Sequence, residues 1–451
     1  MLHPTKLFLA SCTVLLGGAA ALAQDAAPAA DPAAAPAATP AAKLLTLDKV
    51  EAMSDGVARL LEMQEDHGAV PWSGDLDQPA EWPYEGVYRV NRAIPIGYRV
   101  GGTSICGSAL LAAPGQADDA PRTAALERAR AFVVAAIVDP RMEFPYPPRY
   151  DVRGWGYAYG LDFLLRLKTE ELIPAAEAEA TEKAIQFYLD GIVTTELGRG
   201  GWNYAQRAGS DAPASFMTAP TLRALFHAKK HGYTVPGGLI ERGLDSLDAA
   251  RLPTNALVYS GRAGDRSRDT VAGATGRMLS AESTLALAGR GDMDRVRNAL
   301  DRFFEHWDWL EKRRRQNGTH VPPHGIAPYY FFYAHHAAAL AIEHLPFAER
   351  ASYRAKLVDR LAYVREDDGS WNDRVFPRSA NYGTAMTLLA LNMSDAKHIH
   401  GWSGGQVDAL DAADDDGEEG AVLGAGIGAL AGQPIHADAD DDNESDGPDR
   451  R

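Results

Sequence analysis

The stretch from Asp368 to Met393, DGSWNDRVFPRSANYGTAMTLLALNM, joins a tight turn to an uncharged segment. Gly369 permits the left-handed backbone in which many helices end. Trp371 can close the exposed edge of a core while its N–H group reaches a free carbonyl. No charged residue follows from Ala380 to Met393, which is typical of a helix buried on most sides. We therefore predict an outer helix that ends before this turn and a buried helix that follows it.

Related turns recur along the chain. Gly200–Tyr204 has the same glycine–tryptophan pattern, Gly68–Trp72 is a degenerate copy, and Arg153–Tyr157 lies where a further copy is expected. These tryptophans could stack on a sugar or plug the contact between repeats. We favour the plug, because a glycine–tryptophan turn that recurs along the chain suits a structural repeat better than a single binding site.

Apolar residues recur at helical spacing between residues 44 and 394, and strand-like alternation is scarce. Amphipathic segments alternate with more apolar ones, giving six pairs: 47–64 with 103–113, 121–138 with 152–168, 175–196 with 212–230, 236–250 with 269–288, 292–311 with 328–345, and 348–365 with 379–393. Such pairs cannot bury their apolar faces singly, so neighbouring pairs must stack. The pattern predicts an all-α fold, an (α/α)6 toroid of six outer and six inner helices.

The two ends differ from this middle part. Residues 1–23 have the pattern of a signal peptide cleaved after Ala23, and a lipoprotein anchored through Cys12 is the less favoured alternative. Residues 24–43 form an Ala/Pro-rich linker, and residues 395–451 an acidic tail that we expect to be disordered. We thus expect a periplasmic or secreted protein with no stable membrane span after cleavage.

The charge distribution argues against a nucleic-acid partner, and the cysteine content argues against a disulfide. The net charge of the 451 residues is −16, but residues 395–451 alone hold 15 Asp/Glu against 3 Lys/Arg. The predicted toroid is therefore nearly neutral, and no basic surface indicates nucleic acid. Cleavage would leave Cys106 as the single cysteine, which excludes an intramolecular disulfide. We expect the partner to be a ligand or protein of the cell envelope, without naming it.

Two of the quoted segments resemble a known family. Asp368–Trp371 followed by Tyr382–Leu391, and Gly201–Tyr204 followed by Thr218–Leu225, resemble the prenyltransferase and squalene-oxidase repeats of terpene cyclase-like toroids. The closest likeness is to uncharacterised secreted bacterial proteins built from these repeats. The resemblance covers about residues 47–393 and implies the α/α toroid.

The chemistry that this family uses is not matched by the residues present. The Asp-x-Asp-Asp motif of cyclases, the zinc ligands of protein prenyltransferases and the Cys-Gly-Glu-Gln thioester motif are not found, and Cys106 continues as Gly-Ser-Ala. We therefore predict a ligand- or partner-binding module without cofactor or metal. The alternative is an enzyme that acts on a terpenoid or polysaccharide through acids in the central cavity. The sequence leaves open which of the two it is.

The N-terminal ends of the inner helices would line the concave mouth of a ring, so polar or aromatic residues there are the default site candidates. Asp211 and Glu282 precede or lie within consecutive inner helices and are the weak acid candidates; the alternative is that they cap helices or pair with Arg223 and Arg277. Asp162 and Glu343 are further inner-helix carboxylates.

The stretch from His320 to His336 is the richest in histidine and tyrosine. Tyr330 and His335 complete the weak catalytic candidates. A metal site at His320 and His324 is disfavoured, because a Pro-Pro loop does not place two ligands on one helical face. His335 and His336 point about 100° apart on a helix. At most one of them can face a central cavity, and we favour a buried neutral imidazole bonded to a carbonyl.

Overall fold

The computed structural model describes residues 47–66, 79–84, 94–143, 152–204, 211–265, 269–314, 316, 322–325, 330–373 and 378–393. The predicted signal peptide, linker and acidic tail, and the turn copy at Gly68–Trp72, lie outside these residues. The described part contains thirteen α-helices and one two-residue strand pair, Glu65–Asp66 with Ala80–Glu81. None of these helices is long and apolar enough to cross a bilayer.

Six helices form an inner ring: α2 (Ile96–Ala112), α4 (Arg153–Thr169), α6 (Ser215–Lys230), α8 (Val271–Leu287), α11 (Tyr330–Glu343) and α13 (Ser379–Asn392). Each packs against the next, and α13 packs against α2. The ring is therefore closed, and the predicted all-α (α/α)6 toroid is confirmed.

The outer helices surround this ring: α1 (Lys49–Glu62), α3 (Ala120–Ala135), α5 (Ala178–Thr194), α7 (Leu239–Ala249), α9 (Met293–Glu305), α10 (Trp307–Arg314) and α12 (Phe347–Tyr363). Burial separates the two layers as the apolar pattern predicts. In α12 only Leu357, Leu361 and Ala362 are buried, whereas 13 of the 14 residues of α13 are. The core lies between the layers, where one face of each outer helix covers the inner ring.

Turn tryptophans connect the layers in one repeated geometry. Each indole N–H donates to a carbonyl two residues before the end of an outer helix, and each backbone N–H donates to a threonine of the following inner helix. The three sets are Trp82 with Leu60 and Thr103, Trp202 with Ile192 and Thr218, and Trp371 with Leu361 and Thr384. The indole bonds are 2.7–2.9 Å long, so the predicted plug is confirmed for Trp202 and Trp371.

Three local predictions were wrong. Helix α2 begins at Ile96 rather than Thr103, because Gly97 and Gly101 allow a close helix contact instead of breaking the helix. A Cβ at Gly97 would lie 2.2 Å from the Val152 carbonyl oxygen of the neighbouring chain segment. Trp155 lies inside α4 and not in a turn. The fifth outer helix is interrupted at His306 and forms two helices.

The first outer helix closes the ring by packing on the last inner helix, α13. Three ion pairs support this contact: Asp55–Arg365, Arg59–Asp368 and Glu65–Arg378. Within the ring, the Tyr84 and Tyr382 side chains stack with centroids 4.2 Å apart. Residues separated by more than 290 positions in the chain thus form one continuous core.

Candidate functional site

A cavity of about 90 Å³ lies on the axis of the toroid. Every inner helix contributes to its wall, which consists of Ala112, Ala158, Tyr159, Asp162, Arg166, Pro220, Arg223, Ser283, Leu287, His336, Leu340, His344, Leu389, Asn392 and Met393. At roughly 10–15 Å³ for each water molecule, the space holds several. About half of the lining side chains are polar, and five of them carry an ionisable arginine, aspartate or histidine group.

The cavity lies among the C-terminal halves of the inner helices. The sequence predicts a mouth at their N-terminal ends, which lie on the opposite side of the ring. Much of the chain that precedes the inner helices lies outside the described residues. The difference follows from the side chains: the N-terminal halves meet in an aromatic cluster, in which Phe216 contacts Tyr204, Tyr259 and Tyr330.

Asp162 is the carboxylate of this cavity. One of its oxygens accepts a hydrogen bond of 2.7 Å from Arg166 Nε, one helical turn later, and the other lies 3.0 Å from His227 Nδ1 on α6. Burial alone would raise the pKa of Asp162, but the Arg166 charge and the His227 hydrogen bond outweigh it and hold the pKa far below its usual range. Asp162 is therefore an oriented anion.

A chain of hydrogen bonds leads from Asp162 away from the axis. His227 Nε2 lies 3.3 Å from the Thr169 hydroxyl, which lies 2.8 Å from His231 Nε2. His227 is fully buried, whereas His231 is half-buried at the end of α6. Burial, with the nearby His227 and Lys168, lowers the pKa of His231 to about 4. The chain connects a buried carboxylate to a partly exposed imidazole.

Arg223 projects into the same cavity from α6. Its Nη1 group donates to the Thr284 hydroxyl at 2.8 Å and to Ser280 Oγ at 3.3 Å. Tyr333 donates to the same Ser280 hydroxyl, or accepts from it, at 2.7 Å. The α8 hydroxyls and the Tyr333 phenol therefore fix one edge of the guanidinium.

Two imidazoles line the cavity, His336 on α11 and His344 directly after the end of that helix. Burial, with the charges of Arg223 and Arg166, lowers the pKa of His336 to about 3. Burial, with Arg350 and Arg223, lowers the pKa of His344 to about 4. Both imidazoles are therefore unprotonated near neutral pH and can accept a proton or a hydrogen bond.

Tyr159 completes the polar wall. Its ring packs on Trp155 with centroids 4.7 Å apart, and burial raises the pKa of Tyr159 well above its ordinary value. The phenol therefore stays protonated and can donate a hydrogen bond into the cavity. An ionised carboxylate, neutral imidazoles and a protonated phenol line one space, which suits proton transfer.

The structure does not bring the acid candidates Asp211 and Glu282 together. Asp211 is exposed and accepts a 3.0 Å hydrogen bond from the Arg199 backbone N–H. Glu282 is buried against Arg251 and Arg295, toward the outer layer. Neither lines the axial cavity. Glu282 is therefore paired with arginines, as the alternative prediction had it, but with Arg251 and Arg295 instead of Arg223 and Arg277.

His335 and Tyr330 also lie outside the cavity wall. His335 Nε2 accepts 2.8 Å from the Trp307 indole N–H, and His335 Nδ1 donates to the Phe331 carbonyl at 2.7 Å. Burial lowers its pKa to about 3, so it is the neutral imidazole that we favoured. Tyr330 belongs to the aromatic cluster around Phe216. Of the neighbouring pair, His336 is the one that faces the axis.

The histidines considered for metal binding are placed only in part. His320 lies outside the described residues. His324 Nδ1 lies 3.1 Å from the Thr270 hydroxyl, and its ring contacts Trp309. Among the described side chains, no group of three or more His, Cys, Asp or Glu residues could hold a metal ion.

The sequence predictions did not include His227 or His344, named Arg223 only as a possible partner of the carboxylates, and left open which of His335 and His336 faces the cavity. A usable signal exists in the helical register. Arg223, His227 and His231 are spaced four apart on α6, and His336 and His344 are eight apart, on α11 and directly after it, so each set lies on one side of its helix. Polar residues at this spacing in the C-terminal halves of apolar helices mark the cavity.

Comparisons with known proteins add few constraints. No family model and no curated protein matches the chain. An unsaturated glucuronyl hydrolase from Streptococcus agalactiae shares 10% identity at a TM-score of 0.49, over 81% of this chain and 95% of that one. An inactive variant of the α-1,6-mannanase GH76A of Salegentibacter shares 9% identity at a TM-score of 0.48, over 77% and 99%.

A more distant likeness is to α-2-macroglobulin from Salmonella, at 17% identity and a TM-score of 0.35, over 58% of this chain and 17% of that one. At such values these likenesses carry no argument about chemistry. The toroid rests on the helix arrangement of the chain itself. The resemblance to prenyltransferase and squalene-oxidase repeats is matched by no family model, and only its coarser implication, the toroid, is shown.

Proposed function

We propose that this protein is an enzyme that acts on a saccharide by proton transfer in the axial cavity. The observation that carries the proposal is that Asp162 and His336 line one cavity, the first as an anion and the second as an unprotonated imidazole. Both groups are proton acceptors, and the protonated Tyr159 phenol on the same wall is the complementary proton donor that an acid–base site needs. This choice replaces the non-catalytic binding module as our preferred function.

The polar wall favours a saccharide over a terpenoid. Arg166, Arg223 and Asn392 each have a protein partner, but a hydrocarbon would offer nothing to their remaining polar atoms, among them the unpartnered Asn392 amide oxygen, at roughly 1–3 kcal/mol for each unpaired polar group. Sugar hydroxyls offer both donors and acceptors to these groups. The apolar residues Leu340, Leu389 and Met393 can pack against the C–H faces of a sugar ring.

The test is glycosidic-bond cleavage by the purified full chain. Neutral and acidic polysaccharides are incubated with the protein, and new reducing ends are measured together with the ultraviolet absorbance of unsaturated products. We expect turnover of at least one polysaccharide, and a loss of about 10²–10⁴-fold in Asp162→Asn and His336→Gln. Asp301→Asn, an exposed carboxylate on an outer helix, is the matched control and should retain full activity.

Saccharide binding without turnover would contradict the enzyme and support the binding module. Turnover that survives both cavity substitutions would place the chemistry elsewhere. Turnover of a prenyl diphosphate or squalene, with none of any saccharide, would favour the terpenoid alternative.

We also propose that the protein acts outside the cytoplasm, where polysaccharide substrates occur. Residues 1–23 support this, because they carry the pattern of a cleavable signal peptide. Mass spectrometry of the protein from its native host should find Gln24 as the first residue. A terminus that retains Met1 in the cytoplasmic fraction would contradict the proposal.

A further inference from the structure

Arg223 differs from its neighbour Arg166 in what balances its charge. The guanidinium of Arg166 pairs with Asp162. Arg223 bonds to hydroxyl groups and a carbonyl oxygen of α8 and to the Tyr333 phenol of α11, and forms an ion pair with none of the carboxylates in the described residues. A cation in the wall of a partly enclosed cavity without an ion-pair partner is unusual, because the cost of its burial is only partly compensated.

The hydrogen bonds of Arg223 leave one particular edge open. The bonds to α8 all go through Nη1, to Ser280 and Thr284. They leave out Nε and Nη2, which form the edge whose two N–H groups run parallel. This is the fork that matches the two oxygens of a carboxylate or phosphate.

The charge of the cavity agrees with an anionic occupant. Its ionised groups are Arg166, Arg223 and Asp162, which leave one positive charge when His336 and His344 are neutral. The C-terminal ends of the inner helices carry partial negative charge and oppose an anion, but that effect is confined to the last turn. Arg223 lies seven residues, or about 10 Å, before the end of α6. The fork is therefore deeper than the opposing dipoles.

Neutral donors stand around the same space. The Tyr159 phenol and the Asn392 amide line the cavity with Arg223. The side chains of His336 and His344 are not hydrogen-bonded to other described side chains in this arrangement, so each neutral ring has one N–H to offer. An anion at the fork would therefore share the cavity with neutral hydrogen-bond donors, chiefly the Tyr159 phenol and the two imidazoles.

We propose that Arg223 recognises an anionic group on the substrate, a carboxylate or a phosphate carried by an acidic sugar unit. The proposal rests on the saccharide-acting function above and specifies its substrate class. The Nε and Nη2 groups of Arg223 bind two oxygens of the anion, while the α8 hydroxyls hold Nη1 in place. Neutral sugars of the same shape lack this contact.

The experiment measures binding separately from turnover. Isothermal titration calorimetry of the full chain uses glucuronate and galacturonate as carboxylate probes, glucose 6-phosphate as the phosphate probe, and glucose and galactose as neutral references. We expect at least one acidic sugar to bind tenfold or more tightly than its neutral counterpart. The comparison of the carboxylate and phosphate arms identifies which anion the site takes.

Arg223→Met removes the charge, and Arg223→Lys keeps the charge without the fork. We expect the first variant to abolish the preference for the acidic sugar without weakening the binding of the neutral one, and the second to retain only part of it. Arg242→Met, which affects an outer-surface pair with Glu196, is the control. Thermal unfolding and circular dichroism verify that each variant is folded.

Equal affinity for acidic and neutral sugars in the unmodified protein, no binding of either, or a preference that survives Arg223→Met would overturn the proposal. Turnover of neutral polysaccharides without any acidic preference would overturn it and leave the proposed enzyme intact. Conversely, Arg223-dependent binding of an acidic sugar with no turnover of any saccharide would keep this proposal and refute the enzyme.

Discussion

The Asp162 carboxylate and the His227 imidazole come from neighbouring inner helices, 65 positions apart in the chain, and lie 3.0 Å from each other. The contact orients a carboxylate toward the axial cavity on one side and a histidine toward Thr169 on the other. Because His227 is fully buried and Asp162 is held by Arg166 as well, the arrangement stabilises the fold and prepares the site together.

Asp162→Asn should destabilise the protein by about 2 kcal/mol at pH 6, since Arg166 and His227 lose a charged partner. The folded-state pKa of Asp162 lies below the ordinary value of about 3.9. The ionised carboxylate therefore contributes fully to the free energy of unfolding above about pH 3.9, and this contribution is lost as the pH falls further. Urea unfolding of both proteins at pH 6, 4 and 3 should show a shrinking difference. A difference that stays constant, or an equal effect of Asp301→Asn, would contradict this assignment.

His336→Leu should flatten the pH dependence of stability between pH 6.5 and 4. The folded-state pKa of about 3 lies below the unfolded value of about 6.5, so the unfolded chain binds the extra proton and stability falls as the pH falls. One such group contributes at most about 1.4 kcal/mol per pH unit. The measurement is the slope of unfolding free energy against pH for the two proteins. Equal slopes would show that His336 is protonated in the folded state.

Thr218→Val should cost about 1–3 kcal/mol, because the buried Trp202 backbone N–H loses its acceptor. Thr221→Val provides a matched control on the same helix. The Thr221 hydroxyl donates to the Met217 carbonyl one turn earlier, which the helix already satisfies, so its loss should cost less than about 1 kcal/mol. Urea midpoints at constant m-value compare the two. If both variants were equally stable, the turn would not depend on this threonine.

Gly97→Ala should destabilise the contact between α2 and α4 by about 1–3 kcal/mol or more. The added methyl group would lie 2.2 Å from a backbone oxygen, which cannot rotate away as a side chain can. Gly237→Ala, where no atom lies within 4 Å of the added carbon, should be nearly neutral. Thermal unfolding of both variants tests the pair, and a neutral result at Gly97 would mean that the helices can separate without loss.

The fold was predictable because outer and inner helices differ in how many of their residues are apolar and in how these residues are spaced. Outer helices such as α12 bury one stripe and inner helices such as α13 bury nearly every residue, and composition alone separates the two. The start of α2 was missed because Gly97 and Gly101 resemble helix breakers until the neighbouring helix is present. The role of Trp155 was misassigned because a Gly-Trp pair fits a turn and a helix equally well.

The site was less predictable because it depends on which way each side chain faces across the ring. Glu282 and Asp162 are both inner-helix carboxylates, but Glu282 faces the outer layer and Asp162 the axis. His335 and His336 are adjacent in sequence and face opposite surroundings. Rotation of a helix about its axis decides these outcomes, and contacts with distant parts of the chain fix that rotation.

Because α1 packs on α13, the first and last described helices are neighbours in the closed ring. The ribosome must synthesise α13 before α1 can pack against it. During most of synthesis the apolar face of α1 that contacts α13 therefore stays uncovered. The same geometry means that the order of the pairs around the ring matters more than where the chain is cut. A circularly permuted gene that opened between α6 and α7 would encode the same ring, whereas deletion of one pair would change its circumference and abolish the cavity.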